Sequence, residues 1–147
     1  MLKHILVPTD GSALSRKAAR EAIALAKAVG GRVTAFHAAP AYRGPVYAEY
    51  TPPELATPKG YAARAKKMAQ RRLDAISKIA AAAGVPCKTS YAISDFPADA
   101  IIRAAHKSKC DAIAMATHGR SRLSRMLLGS ETTKVLAQSN VPVIVVR

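Results

Sequence analysis

Residues 111–133 carry the residue types with which α/β proteins hold phosphate. The segment begins with a short apolar run, Ala112–Ala116, which has the length of a buried parallel strand. A loop containing Gly119 follows, then Gly129 and Ser130, and Ser130 is predicted to be the N-cap of a helix. Glycine lets backbone N–H groups approach an anion, and a helix N-terminus supplies unpaired N–H groups and partial positive charge. The spacing therefore predicts a phosphate site.

The loop between these elements is basic, but it is not a Walker A loop. Arg120, Arg122 and Arg125 give it positive charge. The pattern Gly-x4-Gly-Lys-Ser/Thr is absent from the sequence. Because the lysine that contacts phosphate in such NTPases is missing, fast nucleotide hydrolysis is not expected.

No residue is predicted to be catalytic. His118 lies beside Gly119, but a catalytic imidazole needs an orienting partner and none is evident nearby in the sequence. It is therefore interpreted as a phosphate neighbour or a loop-ordering residue. Neither a Ser-His-Asp arrangement nor a His and Cys spacing typical of metal ligands is found. A phosphate-bound Mg²⁺ or Mn²⁺ stays open.

Hydrophobic periodicity predicts strands alternating with helices, which indicates an α/β protein with a mainly parallel sheet covered on both faces. Ligands of such sheets bind at the carboxyl ends of the strands. If the first and fourth strands are neighbours, residues 8–10 and 116–119 face one crevice. The predicted elements are strand 4–9, helix 13–29, strand 32–39, helix 59–83, strand 86–93, helix 97–108, strand 111–116, a helix from the Ser130 cap towards Gln138, and strand 141–146.

Three separated segments resemble the universal stress protein family. Gly119, nine residues and then Gly129-Ser130 resemble the second part of its nucleotide motif, Gly-x2-Gly-x9-Gly-Ser/Thr. Residues 7–12 (Val-Pro-Thr-Asp-Gly-Ser) and 141–146 (Val-Pro-Val-Ile-Val-Val) also look like that family. The resemblance covers essentially all 147 residues. It implies one doubly wound, Rossmann-like domain over 1–147 with five parallel strands in the order 3-2-1-4-5, and a cytoplasmic, stress-related regulatory protein.

The resemblance also implies that ATP or a related adenine nucleotide lies between the ends of strands one and four. Asp10 would contact adenosine or help to hold Mg²⁺ or Mn²⁺ at the phosphates, and its alternative role is an Asx-turn onto Ser12. The implied nucleotide-binding residues are Pro8, Thr9, Asp10, Ala38, Met115, Ala116, His118, Gly119, Arg120, Gly129, Ser130 and Glu131.

Ala116 occupies the position of the first glycine of the motif. If the backbone there needs a positive φ, alanine costs about 1 kcal/mol. If the glycine only makes room, one methyl group is tolerated. Binding is therefore expected to be weakened rather than abolished, with little or no hydrolysis, and slow turnover stays open. The alternative is an interaction module that kept the fold and lost the nucleotide.

A net charge of +14 attracts polyanions, which makes polyanion binding a third hypothesis. Many of the cations crowd the helix predicted over residues 59–83. A solvated helix face is the favoured interpretation, because nucleic-acid binding by base stacking needs interleaved aromatic residues and this helix has only Tyr61. Nucleic acid is therefore not an expected partner. The cations are Lys59, Arg64, Lys66, Lys67, Arg71, Arg72 and Lys78.

The composition favours a cytosolic protein. No apolar run approaches the length of a transmembrane helix, so no membrane contact is expected. The N-terminus lacks the apolar core of a signal peptide. Cys87 and Cys110 are isolated in the sequence and are expected to be reduced, buried or half-buried thiols.

The longest irregular region of the chain is residues 40–58, which include Tyr42, Tyr47 and Tyr50. It is interpreted as a flap near the ligand, a dimer contact or a disordered loop.

The segment Val141–Val146 is almost entirely β-branched and is the inferred sheet edge. Because unpaired N–H and C=O groups of an edge strand invite pairing, a homodimer through this strand is predicted. Burial under helices of its own chain is the alternative.

Overall fold

The structure is a computed structural model, and it describes residues 2–44, 57–117 and 128–147. In these ranges the chain forms strands β1 (His4–Pro8), β2 (Arg32–Ala39), β3 (Cys87–Ile93), β4 (Ala112–Ala116) and β5 (Val143–Val146). Neighbouring strands are all parallel, and their order across the sheet is β3-β2-β1-β4-β5. The predicted parallel sheet and its strand order are confirmed, so the carboxyl ends of β1 and β4 are adjacent.

The described helices are α1 (Ala13–Ala28), α2 (Pro58–Ala83), α3 (Pro97–Lys107) and α4 (Ser130–Gln138). Ser12 caps α1, since its hydroxyl accepts a hydrogen bond from the Ser15 backbone N–H at 3.1 Å. Gly84 ends α2 in the left-handed conformation, with a φ of 73°. None of the helices described is long and apolar enough to cross a membrane. Although α2 has the length, it carries seven basic residues.

The helices cover both faces of the sheet. On one face, Ile5 of β1 belongs to the same buried cluster as Ile23 of α1 and Ile76 of α2. On the other face, Leu6 belongs to a cluster with Ile101 of α3. Successive residues of β1 therefore point to opposite faces, as the two-residue period of a strand requires. This two-sided packing leaves the carboxyl edge of the sheet as the place where loops and helix N-termini converge.

Two predicted boundaries near the C-terminus are wrong. Ser130 is the first residue of α4 rather than its N-cap, because Gly129 has the extended backbone of a cap, with a ψ of 147°. β5 begins at Val143 and not at Val141, because Pro142 has no N–H to donate and Val141 bonds through its own N–H and C=O to the Ser139 hydroxyl. The other predicted ends agree with the structure or differ from it by one residue.

The predicted flap over residues 40–58 falls largely outside the described residues, and Tyr47 and Tyr50 are among those not described. Tyr42 is described, and its ring centroid lies 5.5 Å from that of Tyr61 on α2. The Tyr61 hydroxyl donates a hydrogen bond to the Pro40 carbonyl. The first turn of α2 therefore fixes the chain that leaves β2.

Candidate functional site

A cavity of about 400 Å³ opens at the carboxyl ends of β1, β2 and β4. Open parallel sheets bind ligands at this edge, and the volume lies within the roughly 300–1,000 Å³ of small-molecule sites. Its apolar wall comes from three elements: Phe36 and Ala38 of β2, Ile101 of α3 and Met115 of β4. The full lining is Pro8, Thr9, Asp10, Ser15, Phe36, Ala38, Pro97, Ile101, Met115, Ala116, Gly129, Ser130, Glu131 and Thr132.

The cavity brings together nine of the twelve residues that the sequence selects, although they come from four separate segments. The nine are Pro8, Thr9, Asp10, Ala38, Met115, Ala116, Gly129, Ser130 and Glu131. The remaining three, His118, Gly119 and Arg120, lie outside the described residues.

The lining also includes five residues that sequence reasoning missed. Phe36 could have been found from Ala38, because residues two apart on a strand share a face. Ile101 follows Pro97 by four residues and therefore lies on the same side of α3. Ser15 and Thr132 carry no comparable sequence signal.

The β1–α1 turn is held by short hydrogen bonds from its own side chains. The Asp10 Oδ1 accepts from the Ser12 N–H at 2.9 Å, which is the predicted Asx-turn. The Thr9 hydroxyl accepts from the Gly11 N–H at 3.1 Å and lies 3.1 Å from the Ser15 hydroxyl. The turn that borders the cavity is therefore held by hydrogen bonds within the protein itself.

The backbone of Thr9 is fixed from the opposite face of the sheet. Its carbonyl oxygen lies 2.8 Å from Nδ1 of the buried His37, and since a carbonyl only accepts, Nδ1 carries the proton. The Arg72 Nη1 lies 3.4 Å from the His37 Nε2, which must be the acceptor because a guanidinium only donates. Arg72, predicted as part of a solvated basic face, thus reaches inward and supports the floor of the cavity.

Gly11 suits this turn for two reasons. Its backbone φ is +81°, a conformation that residues with a Cβ rarely adopt. A Cβ at this position would also lie 2.8 Å from the Arg72 Nε. The β1–α1 turn and α2 are therefore fitted to each other through a glycine.

Ala116 lies at the end of β4 without backbone strain. Among described residues other than glycine, Lys109 has the positive φ, at 53°, so Ala116 does not need the freedom of glycine. Its carbonyl accepts a hydrogen bond from the Thr132 hydroxyl at 2.8 Å, and the residue lines the cavity. Backbone strain is therefore excluded as a way in which Ala116 weakens nucleotide binding, and only the space taken by its methyl group remains.

The N-terminus of α4 borders the cavity on the β4 side. Gly129, Ser130 and Glu131 line it, and the first N–H groups of a helix have no acceptor within the helix. The Glu131 carboxylate is used elsewhere, because its Oε2 accepts from the Ala98 N–H of α3 at 3.0 Å and its Oε1 from Lys134 at 3.1 Å. Glu131 can therefore offer its backbone to a ligand, while its side chain joins α3 to α4.

Within the described lining residues there is no lysine or arginine. Positive potential in this part of the cavity therefore comes from backbone N–H groups and from the α4 dipole. No cluster of three or more His, Cys, Asp or Glu side chains suited to a metal occurs in the part of the chain that the structure describes. Asp10 is the lining carboxylate on the β1 side.

The fold and the cavity define a Rossmann-like α/β protein with a cavity of small-molecule size at the carboxyl edge of its sheet. The chain matches the model of the Universal stress protein family over residues 1–147, and it belongs to this family. A universal stress protein of Thermus aquaticus, encoded in the QAH/OAS sulfhydrylase 3′ region, is 34% identical over 100% of both chains.

Solved structures have the same fold. Protein MJ0577 of Methanocaldococcus jannaschii superposes with a TM-score of 0.82 at 25% identity, covering 99% of this chain and 96% of its own. A universal stress protein in complex with cAMP gives a TM-score of 0.71 at 23% identity, covering 99% and 97%. The universal stress protein of Archaeoglobus fulgidus in complex with dAMP gives 0.65 at 22% identity, covering all of both chains.

Proposed function

We propose that this protein binds ATP, or a related adenine nucleotide, in the cavity between the ends of β1 and β4. The observation that carries the proposal is that nine residues selected from four sequence segments line one cavity of nucleotide size. Structures of two universal stress proteins of the same fold are complexes with cAMP and dAMP, which supports the same ligand class.

The two sides of the cavity suit different parts of a nucleotide. Phe36, Ala38, Ile101 and Met115 offer an apolar slot for the adenine ring. The first backbone N–H groups of α4 suit the phosphates, since a helix N-terminus favours an anion. Asp10 supplies a carboxylate that fits an oxygen-preferring cation such as Mg²⁺ or Mn²⁺ bound with the phosphates.

We propose a regulatory role in which the nucleotide is bound with little or no turnover. The sequence lacks the Walker A lysine, and none of the described residues that line the cavity is a histidine. Binding and dissociation of the nucleotide, rather than product formation, would then carry the signal in the stress response, in the cytoplasm.

Calorimetry on protein freed of ligand tests the proposal. The purified protein is first denatured, and any small molecule that it releases is examined for adenine absorbance. The protein stripped in this way is then refolded and titrated with ATP–Mg²⁺. We expect saturable heat with a stoichiometry of one nucleotide per chain. No heat at millimolar ATP, from protein that regains its circular dichroism spectrum, would contradict the proposal and favour the nucleotide-free interaction module.

We also propose that β5 pairs with its own copy in a homodimer. All four residues of β5 are partly exposed in the single chain, and they are aliphatic and uncharged. The other edge strand, β3, also exposes the apolar Tyr91 and Ile93, but it carries Lys88 and Ser90 beside them, and charged or polar residues protect an edge from pairing. The two edges of the sheet therefore differ in the way that predicts pairing at β5.

Sedimentation at tens of micromolar tests this assembly. We expect a dimer that Val145→Lys converts to monomer or to aggregate, because a lysine would be buried in the pair. Ile93→Lys is the matched control, since Ile93 is 43% exposed on the opposite edge strand, and it should leave the dimer intact. A monomeric unaltered protein would contradict the proposal.

A further inference from the structure

The helix α2 concentrates the positive charge of the chain. Its 26 residues include seven basic residues and one acidic residue, which gives it +6 of the total net charge of +14. Arg72 turns inward to His37, whereas the other six basic side chains are exposed. The positive charge of the protein is therefore concentrated on this helix, although the rest of the chain also carries a net positive charge.

Four of these cations form one stripe on the side of α2 that faces away from the sheet. At about 100° per residue, Arg64, Lys67, Arg71 and Lys78 fall within about 60° of arc. The buried stripe of α2, which includes Leu73 and Ile76, lies on the opposite side. From Arg64 to Lys78 the stripe is about 21 Å long, at about 1.5 Å per residue.

The stripe is not neutralised within the part of the chain that the structure describes. The two ion pairs there, Arg43 with Asp95 and Lys134 with Glu131, do not involve α2. Arg64, Lys67 and Arg71 instead border a surface recess of about 500 Å³, which Gly60, Ala63 and Met68 also line. Concentrated, unpaired cations at the border of a recess leave room for an anionic partner to approach the helix.

The chemistry of the stripe favours a nucleic acid duplex. Cations in one row along a helix can neutralise the phosphates of a duplex, and contacts to phosphate need no base stacking. The shortage of aromatic residues on α2 argues against stacking on single-stranded bases, not against this mode. A membrane surface would need an apolar face on the exposed side, but the apolar face of α2 is buried against the sheet.

The stripe is separate from both surfaces described above. None of the described residues that line the nucleotide cavity belongs to α2. The helix packs on β2 and β3, whereas β5 lies at the other edge of the sheet. Pairing through β5 would leave the stripe of each protomer exposed.

We propose that this stripe binds the phosphate backbone of a nucleic acid duplex without reading its base sequence. The proposal goes beyond nucleotide binding and does not depend on it. It assigns a partner to the charge of α2, for which the sequence alone favoured a solvated face.

Fluorescence anisotropy with a labelled 20-base-pair DNA duplex tests this proposal. Four phosphate contacts predict a slope of about −3 to −4 for the logarithm of the binding constant against the logarithm of the salt concentration, between roughly 50 and 200 mM. Two duplexes of unrelated sequence should bind equally. Neutralising three cations, in Arg64→Gln/Lys67→Gln/Arg71→Gln, should weaken binding at least tenfold at roughly 50 mM salt and reduce the slope by about 2.7.

A matched variant separates the stripe from the net charge. Arg20→Gln/Lys27→Gln/Arg103→Gln removes the same charge from exposed positions on α1 and α3, and it should bind DNA within threefold of the unaltered protein. Both variants should keep the circular dichroism spectrum and the response to ATP. Equal losses in the two variants, no binding at roughly 50 mM salt, or binding to phosphatidylserine vesicles without binding to DNA would each overturn the proposal.

Discussion

The two ends of the sheet use their polar side chains differently. At the amino end, the His4 Nε2 lies 2.8 Å from the Thr34 hydroxyl, and the Asp111 Oδ2 accepts from the N–H groups of Lys3 and His4 at 3.0 and 2.9 Å. At the carboxyl end, Thr9 and Asp10 of the β1–α1 turn border a cavity. The polar side chains at the amino end bond to each other and to the backbone, whereas those at the carboxyl end border a cavity.

The amino end also carries shifted pKa values, which often mark functional sites. Burial, with a smaller effect of the nearby Arg32, lowers the pKa of His4 below 6.5. Burial raises the pKa of the Cys110 thiol to about 11, and Cys110, like Cys87, is a free thiol as predicted. Because burial is the main cause of both shifts and neither residue lines the cavity, we assign the amino end to stability and the carboxyl end to binding.

Replacement of Gly11 should have the largest effect. Gly11→Ala puts a Cβ in the left-handed region and 2.8 Å from the Arg72 Nε, so we expect a loss of about 2–4 kcal/mol in the free energy of unfolding. ATP affinity should fall at least tenfold, because either the turn at the cavity or the Arg72 side chain that supports it through His37 must shift. Urea unfolding and calorimetry measure the two effects.

Gly30→Ala is the matched control for this prediction. Gly30 has a similar φ of +63°, but beyond its chain neighbours nothing lies within 4 Å of the place that a methyl group would take. The free energy of unfolding should fall only by the cost of holding alanine in the left-handed conformation, about 1–2 kcal/mol, and ATP affinity should stay unchanged. Equal loss of affinity in both variants would show that the β1–α1 turn has no special part in binding.

Removal of Asp111 should affect stability and not binding. Asp111→Ala leaves the Lys3 and His4 N–H groups without their acceptor, so we expect a loss of about 2 kcal/mol in the free energy of unfolding. ATP affinity, measured by calorimetry below the unfolding transition, should stay the same. A large change in affinity would remove the distinction between the two ends of the sheet.

His4 should make the protein less stable in mild acid. Because its pKa is lower in the folded state, the unfolded chain binds a proton first as the pH falls below 6.5. The contribution of His4 to the free energy of unfolding is therefore fully present above pH 6.5. It is lost as the pH falls below 6.5, and the free energy of unfolding then changes by at most about 1.4 kcal/mol per pH unit. Urea unfolding at several pH values should show a weaker pH dependence for His4→Gln than for the exposed control His106→Gln.

Ala116→Gly should have the smallest effect. The backbone of Ala116 is not strained, so glycine brings only the room of one methyl group, and ATP affinity should rise less than tenfold from a measurable start. Stability should fall by about 0.5–1 kcal/mol, since glycine is unfavourable in a strand. A gain from undetectable binding would instead support the interaction module that lost its nucleotide.

Much of the fold could be predicted from the sequence because its signals are local. The apolar run at Ala112–Ala116, the cap at Ser12 and the stop at Gly84 depend on near neighbours in the chain. The predicted start of β5 is wrong because the apolar pattern continues through Val141, although its N–H and C=O both bond to the Ser139 hydroxyl and not to a neighbouring strand.

The support beneath the cavity could not be predicted. The contact between Arg72 and His37 joins residues 35 apart, and the need for Gly11 depends on where α2 places a side chain. Neither leaves a trace in spacing or periodicity. The candidate lining was easier to select, because parallel strands bring their carboxyl ends to one edge whatever the detailed packing.

Occupation of the cavity at the carboxyl end of the sheet by an adenine nucleotide can be tested directly by methyl NMR, in a titration of the stripped protein with ATP–Mg²⁺. We expect saturable shifts of the Met115 and Ile101 methyl signals, which come from the cavity, with no shift for Met68 on the outer side of α2. Unchanged Met115 and Ile101 signals at millimolar ATP would contradict it.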